Sequence, residues 1–189
     1  MYVVIEGIDT SGKSTQIQEL KLAFQEAIFT FEPGATPLGK KLRKILLEDS
    51  IELDSRAEML LFLADRAQHA HEILKANPDK LIISDRSLIS GMAYAKDFDF
   101  ETLKAFNLFA TQGILPQKVI FLELQKEDLQ QRLQSKNEDK IEQRGLEYLL
   151  ELQQRTKAII KKLQLPYISI NANLPKTTIT QQIINFIKE

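Results

Sequence analysis

The sequence predicts an α/β fold: a mostly parallel sheet of about five strands with helices on both faces. Two observations point there. Short apolar runs recur along the 189 residues, nearly without polar alternation, as expected of strands covered on both faces. Helical segments separate them, and strands joined by helices form right-handed crossovers and parallel pairs. Nothing marks a repeat, a low-complexity tract or a linker, so a single domain over 1–189 is expected. Ligands of such a sheet collect at the carboxyl ends of its strands.

The elements follow in order. "YVVIE" (2–6) is a buried strand, and a helix runs from about Lys13 to Ala27. "AIFTF" (27–31) is a second strand, "EPGATPLG" (32–39) a turn-rich loop and "KKLRKILLE" (40–48) a short helix. A long helix extends to about Ala76, with Ser55 and Glu58 at its start spaced as a capping box. "KLIIS" (80–84) is a strand ending at Asp85. A helical stretch through Phe109 leads to Gly113, and "KVIFLEL" (118–124) is the next strand. A charge-dense helical region covers about 126–164, "PYISI" (166–170) is the last strand and 176–188 the last helix.

Composition narrows the class. Hydrophobic residues make up 43% and charged residues 27%, as in soluble globular proteins. A net charge of −1 supplies no global field for nucleic acid or an anionic membrane, so any anion site is local. The absence of cysteine excludes disulfides and thiolate metal sites. Met1 runs into "YVVIEG" without a basic segment before an apolar stretch, so no signal peptide and a cytoplasmic protein are expected.

Residues 7–15, "GIDTSGKST", carry the strongest motif. Gly7, Gly12, Lys13 and Ser14 satisfy G-x-x-x-x-G-K-[ST]. In such a loop Gly7, Ile8, Asp9, Thr10, Ser11 and Gly12 turn backbone N–H groups around phosphate oxygens, and the helix that follows adds partial positive charge. Lys13 reaches the β- and γ-phosphates of a nucleoside triphosphate, the Ser14 hydroxyl ligates Mg²⁺, and Thr15 extends the helix start toward the α-phosphate. Asp85, at a strand end, is placed to hold Mg²⁺ through water.

The cradle does not name the acceptor. A nucleotide switch would carry N-K-x-D and D-x-x-G, yet Asp85 is followed by Arg86, Ser87 and Leu88. A kinase for a small acceptor needs a second anion site and a base platform. Phe62 and Arg66 in "LLFLADR" are i,i+4 neighbours. Read alone they are a core residue and a surface charge; read together they can stack on a base and hydrogen-bond its edge. His69 and His71 have no partner in the sequence and read as structural or solvated. Arg86 is placed for a phosphate, Arg43 is ambiguous, and Lys40, Lys41 and Lys44 form a solvated face. Arg132, Lys136, Lys140 and Arg144 recur every four residues. That stripe is either a salt-bridged solvated helix or a mobile lid, about 130–146, bringing cations to a transferring phosphoryl group.

Several spaced segments together resemble the thymidylate kinase family over nearly the whole chain. "IEGIDTSGKSTQ" is similar to its opening, and "FEPGATPLGKKLR" to its T-R-E-P-G-G-T-P-x-G-E-x-I-R segment. "AEMLLFLADRAQH" resembles E-x-L-L-F-A-A-D-R-x-x-H, "DRSLISGMAYA" resembles D-R-Y-x-x-S-x-x-A-Y-Q, and "DKIE" (139–142) resembles the lid's D-R-x-E. The resemblance implies a P-loop kinase fold, transfer of the γ-phosphoryl group of ATP to dTMP with Mg²⁺, and a homodimer. It implies that Phe62 stacks on thymine and Arg66 bonds its edge, that Arg86 and Arg43 clamp the acceptor phosphate, and that Ser90 lies in the loop that closes the base pocket. Tyr94 then packs on the deoxyribose, and Asp9, counted among the catalytic residues, binds the 3′-hydroxyl and helps order the metal site. It turns the stripe into a lid whose Arg132 and Lys136 are catalytic, because the small Thr10 stands where some members carry a cradle arginine. Three positions depart from the pattern: Phe31 replaces an arginine, Ala95 a glutamine and Gln117 an aspartate. The alternatives are a related kinase taking another nucleoside monophosphate or a deoxynucleoside, and, more distantly, a switch.

Overall fold

The computed structural model describes residues 1–134 and 145–189. Its five strands are β1 (Tyr2–Glu6), β2 (Ile28–Phe31), β3 (Ile82–Asp85), β4 (Lys118–Glu123) and β5 (Tyr167–Asn171). They form one sheet in the order β2-β3-β1-β4-β5, and every pairing is parallel. The expected five-stranded α/β sheet is therefore present. The strands are buried as their apolar runs predict: Val3, Val4, Ile5, Ile83 and residues 119–122 have no exposed surface. Each such side chain contributes about 1.5–3 kcal/mol relative to exposure.

The helices are α1 (Lys13–Ala23), α2 (Pro37–Arg43), α3 (Ser55–His69), α4 (Leu88–Tyr94), α5 (Phe100–Thr111), α6 (Lys126–Gln134), α7 (Gly145–Lys162) and α8 (Lys176–Lys188). Sheet order places the site. β1 lies at the centre, and the chain fills one side with β3 and β2 before crossing to β4 and β5. The carboxyl end of β1 is thus the switch point where the turn 7–12 opens.

Several boundaries differ from expectation for local reasons. Helix α1 stops at Ala23, where Phe24 donates its N–H to the Leu20 carbonyl at 2.8 Å and the chain turns into β2. Helix α2 starts at Pro37, earlier than expected, because Thr36 caps it by accepting from the Gly39 N–H at 2.9 Å and proline fits the first turn. The capping residue of α3 is Asp54 rather than Ser55: its carboxylate accepts from the Arg56 N–H at 3.0 Å, and a negative charge suits a helix start. Residues 44–48 and 70–74 continue α2 and α3 as wider π-helical turns. The stretch expected to be helical through Phe109 breaks into α4 and α5, with Asp99 capping the second. The charge-dense region holds α6 and α7, and Lys136, Lys140 and Arg144 lie outside the described residues.

Candidate active site

The cradle takes its shape from backbone that few residues adopt. Gly12, at φ 90°, caps α1, a left-handed conformation natural to glycine. Thr10 and Arg86, both at φ 68°, hold left-handed conformations without glycine's freedom. Ile8 and Ser11 are buried, whereas Ser14 and Thr15 are exposed at the first turn of α1.

Lys13 is buried. Its Nζ donates to the carbonyls of Gly7 at 2.9 Å and Ile8 at 3.1 Å, and stands 4.0 Å from the Asp9 carboxylate. Burial, reinforced by the nearby positive Arg86, pulls the ammonium down to about 8, against the pull of Asp85, Asp9 and Glu6. The unfolded chain therefore binds more protons than the fold between about pH 8 and the ordinary lysine range. In that window this group's contribution to stability rises with pH; below it the charge is present in both states and its burial opposes folding. A bound triphosphate would favour the ammonium. Calorimetric titration with ATP at pH 8.5, in two buffers of different ionisation enthalpy, should record proton uptake that is nearly absent at pH 6.5. Equal uptake at both pH values would place the titrating group elsewhere.

Arg86 gathers the next shell of side chains. Its Nη2 donates to Asp9 Oδ1 at 2.5 Å, its Nη1 to Ser90 Oγ at 3.1 Å, and its guanidinium lies 5.6 Å from the centre of the Tyr94 ring. Burial disfavours its charge, but Tyr94, Asp9 and Glu6 outweigh that and hold the guanidinium charged. Glu6, fully buried at the end of β1, accepts from the hydroxyls of Ser87 at 2.6 Å and Ser90 at 2.5 Å; Ser90, expected in a loop closing the base pocket, is instead buried within α4, where Ser87 caps the helix. Burial pushes its carboxyl up while these hydroxyls and Arg86 pull it down, with burial prevailing. Glu6 had no role in the sequence reading. The signal was available: a carboxylate ends an otherwise apolar strand.

Asp85 pairs in register with Ile5 of β1 and Phe31 of β2. Its Oδ1 is buried without a hydrogen-bond partner among the described residues. A buried orphan carboxylate oxygen at the cradle suits the water shell of a cation, and the Ser14 hydroxyl is available at the helix start.

Arg66 corrects the isolated reading of a surface charge. It is 3% exposed. Its Nε donates to Glu32 Oε2 at 2.8 Å, its Nη1 to Asn107 Oδ1 at 2.6 Å and its Nη2 to the Ser87 carbonyl at 3.4 Å. Burial pushes Glu32 up, but Arg66 and His69 overcome it and hold the carboxyl below its ordinary range. His69, read as lacking a partner, is buried in the same network. Its Nε2 lies 2.8 Å from Thr30 Oγ1 and its Nδ1 2.9 Å from Glu32 Oε1, the latter off the axis of a straight hydrogen bond. His71 is exposed, as expected.

A cleft opens beside this network, lined among others by Phe62, Arg66, Gly91, Tyr94, Ala95 and Asn107. Tyr94 links it to Arg86, and Arg86 links it through Asp9 to the cradle. Phe62, Arg66, Tyr94, Ser90, Arg86, Asp9 and Lys13 are thus brought into one continuous site. Arg43 is not among the residues lining the cleft; it donates from Nη1 to the Pro33 carbonyl at 2.8 Å, with its guanidinium 5.9 Å from the Phe31 ring. The Glu32–Pro33 peptide bond there is cis. Lys40, Lys41 and Lys44 are exposed. The departures acquire places: Phe31 faces Arg43, Ala95 lines the cleft, and Gln117 accepts from the Tyr2 N–H at 2.8 Å, joining the entry of β4 to β1.

Arg132 reaches the cradle from α6. Its Nη1 donates to the Thr10 carbonyl at 2.7 Å and its Nη2 to the Ala172 carbonyl at 2.6 Å. A Cβ on Gly12 would lie 4.0 Å from Nη1, so this cation stands over the start of α1.

The family model described as thymidylate kinase matches residues 5–183. A thymidylate kinase of Campylobacter jejuni subsp. doylei is 52% identical over 192 residues, covering 100% of both chains. That of Wolinella succinogenes is 54% identical over 185 residues, covering 98% of this chain and 97% of its own. A crystal structure of thymidylate kinase from Ehrlichia chaffeensis superposes with a TM-score of 0.78 at 23% identity, covering 99% of this chain and 98% of that one. At that identity it establishes the shared fold.

Proposed function

The chain belongs to the thymidylate kinase family and phosphorylates dTMP with ATP, and we propose that the continuous site from cradle to cleft carries out the transfer as a single domain over residues 1–189. One observation carries this reading. Arg86 bonds Asp9 of the cradle and faces Tyr94 of the cleft, so a cation stands between the phosphate cradle and the cleft lined by Phe62 and Arg66. An acceptor monophosphate bound in the cleft would bring its phosphate to that point.

Lys13 leaves the carbonyls of Gly7 and Ile8 for the β- and γ-phosphates. The cradle N–H groups of residues 7–15 hold the triphosphate. Ser14, and Asp85 through water, would hold Mg²⁺, and the orphan Oδ1 of Asp85 supports that fit. When bound, the metal neutralises charge between the β- and γ-phosphates. Arg86 and Arg43 clamp the acceptor phosphate, and Ser90 orients Arg86. Phe62 stacks on thymine, Arg66 donates to its edge, Tyr94 packs on the sugar and Asp9 accepts from the 3′-hydroxyl. Arg132 supplies charge over the cradle; Lys136 shares that role in our reading and lies outside the described residues. The work is positioning and charge stabilisation of an in-line transfer.

Phe109 is 84% and Phe106 44% exposed on α5, and Leu60 is 55% exposed on α3. These apolar faces support a homodimer formed through packed helices. Among the described residues no helix is long and apolar enough to cross a membrane. We place the enzyme in the cytoplasm, acting on small molecules rather than nucleic acid.

ADP release from Mg·ATP, measured against dTMP, dCMP and thymidine, tests the acceptor. Turnover with dTMP supports the reading, and turnover confined to thymidine overturns it. In the same assay format, Phe62→Ala and Arg66→Ala should each weaken dTMP affinity roughly 5- to 150-fold, the scale of one base-stacking contact, while ATP affinity stays near wild type. Unchanged dTMP affinity in both would remove the base from this cleft.

A further inference from the structure

We propose that Asn107 is a positioning residue for base selection: it fixes the guanidinium of Arg66 so that its unused N–H groups are aimed at the acceptor base. This rests on the reading of the cleft as the thymine site.

The geometry carries it. An arginine held only through Nε can swing its far end about the Cδ–Nε bond. Glu32 takes the Nε–H, and Asn107 takes one hydrogen of Nη1 at 2.6 Å. These two contacts, at different ends of the guanidinium, set its plane. The Ser87 carbonyl, at 3.4 Å from Nη2, is a longer contact. Three of five N–H groups are then engaged, and two remain for a ligand. Asn107 cannot reverse its role cheaply. Its Nδ2 donates to the Leu103 carbonyl at 2.7 Å, which leaves Oδ1 as the atom facing Arg66. It is 3% exposed and belongs to α5, an element the base motifs do not include. Gly91 completes the seat: a Cβ there would come within 2.7 Å of Arg66 Nη2, so the α4 backbone lies flat against the guanidinium and only glycine leaves it room.

The consequence is chemical. A guanidinium only donates. Thymine presents a carbonyl oxygen at the position where cytosine presents an amino donor. Rigidly aimed donors therefore favour thymine and repel cytosine, whereas a swinging guanidinium avoids the clash and discriminates less.

The test compares Asn107→Ala, the nearly isosteric Asn107→Leu, and Asn107→Asp, which keeps an acceptor for Arg66. Steady-state kinetics with dTMP and dCMP are read beside thermal midpoints, with Arg66→Ala as reference. The expected result is a rise in KM for dTMP of about tenfold in the first two, the scale of one charge-assisted hydrogen bond. Their kcat and KM for ATP stay within about twofold on the same reasoning, since the lost contact lies in the acceptor cleft. The ratio of kcat/KM for dTMP over dCMP narrows, and Asn107→Asp recovers most of the wild-type KM. If Asn107→Ala fails to fold, Asn107→Leu carries the comparison; if both fail, Asn107→Asp decides through its dTMP:dCMP ratio, which must stay at the wild-type value. A lowered midpoint with KM and ratio unchanged would make Asn107 merely structural and overturn the proposal. If Arg66→Ala itself leaves dTMP binding intact, the base-site reading fails instead; if Arg66→Ala weakens binding and the Asn107 variants do not, only the positioning role fails.

Discussion

Lys13→Ala should lower kcat by on the order of 10²-fold or more, the scale of removing one preorganised electrostatic partner from a transition state, in a protein that still folds. The resting structure supports both halves. Lys13 Nζ is held by the carbonyls of Gly7 and Ile8 at the mouth of the phosphate loop, close to where charge moves toward the β–γ bridge. Its ammonium is also lowered to about 8, chiefly by burial, so at neutral pH its charge opposes folding. Deleting it should leave the thermal midpoint near wild type or above. Saturating kinetics and a thermal melt of the same preparation read the two effects together. Near-normal kcat in a folded variant would exclude the lysine from the transfer.

The second large effect is expected at Arg132. Thr10 carries no charge, so the cradle lacks a side-chain cation at that position, while the transition state spreads negative charge over three equatorial oxygens. Arg132 is the cation that reaches the loop from α6, through the Thr10 and Ala172 carbonyls. Arg132→Ala should reduce kcat by about 10²-fold, below the roughly 10³–10⁵ of supplied arginines in related transfers, because Lys13 remains. KM for dTMP should change little. Thr10→Arg in that background should restore part of the rate. Wild-type kcat in Arg132→Ala would reduce the contact to a brace between the cradle and the loop after β5.

The two effects also mark what could be read from the chain. The cradle was legible because its chemistry is local: a strand, a turn and a helix start within fifteen residues. The sheet was legible because residues 3–5 and 119–122 are buried on both faces and so lack alternation. Arg66 was misjudged in isolation because its partners, Glu32 and Asn107, lie 34 and 41 residues away, and helical spacing carries no information about them. His69 was left without partners for the same reason. The break between α4 and α5 was missed because no proline or glycine marks it; Asp99 makes it by capping the second helix. Asp54 and Ser55 both suit a helix start, and only backbone geometry decides between neighbours. The lid stripe stands differently: Arg132 is placed at the cradle, while Lys136, Lys140 and Arg144 fall outside the described residues.

The left-handed backbone of Arg86, at φ 68°, limits how this position can evolve. A non-glycine residue there carries about 1–2 kcal/mol of local strain. Glycine would relax the strain but remove the fork that spans Asp9 and Ser90. Lysine would keep one charge but not two divergent donors on a rigid plane. Asparagine suits the backbone and lacks the charge. Each single step toward a more comfortable residue therefore discards the contact joining the two halves of the site. Backbone comfort and the two-pronged contact therefore pull in opposite directions at this one position, and the arginine keeps the contact at the cost of the strain.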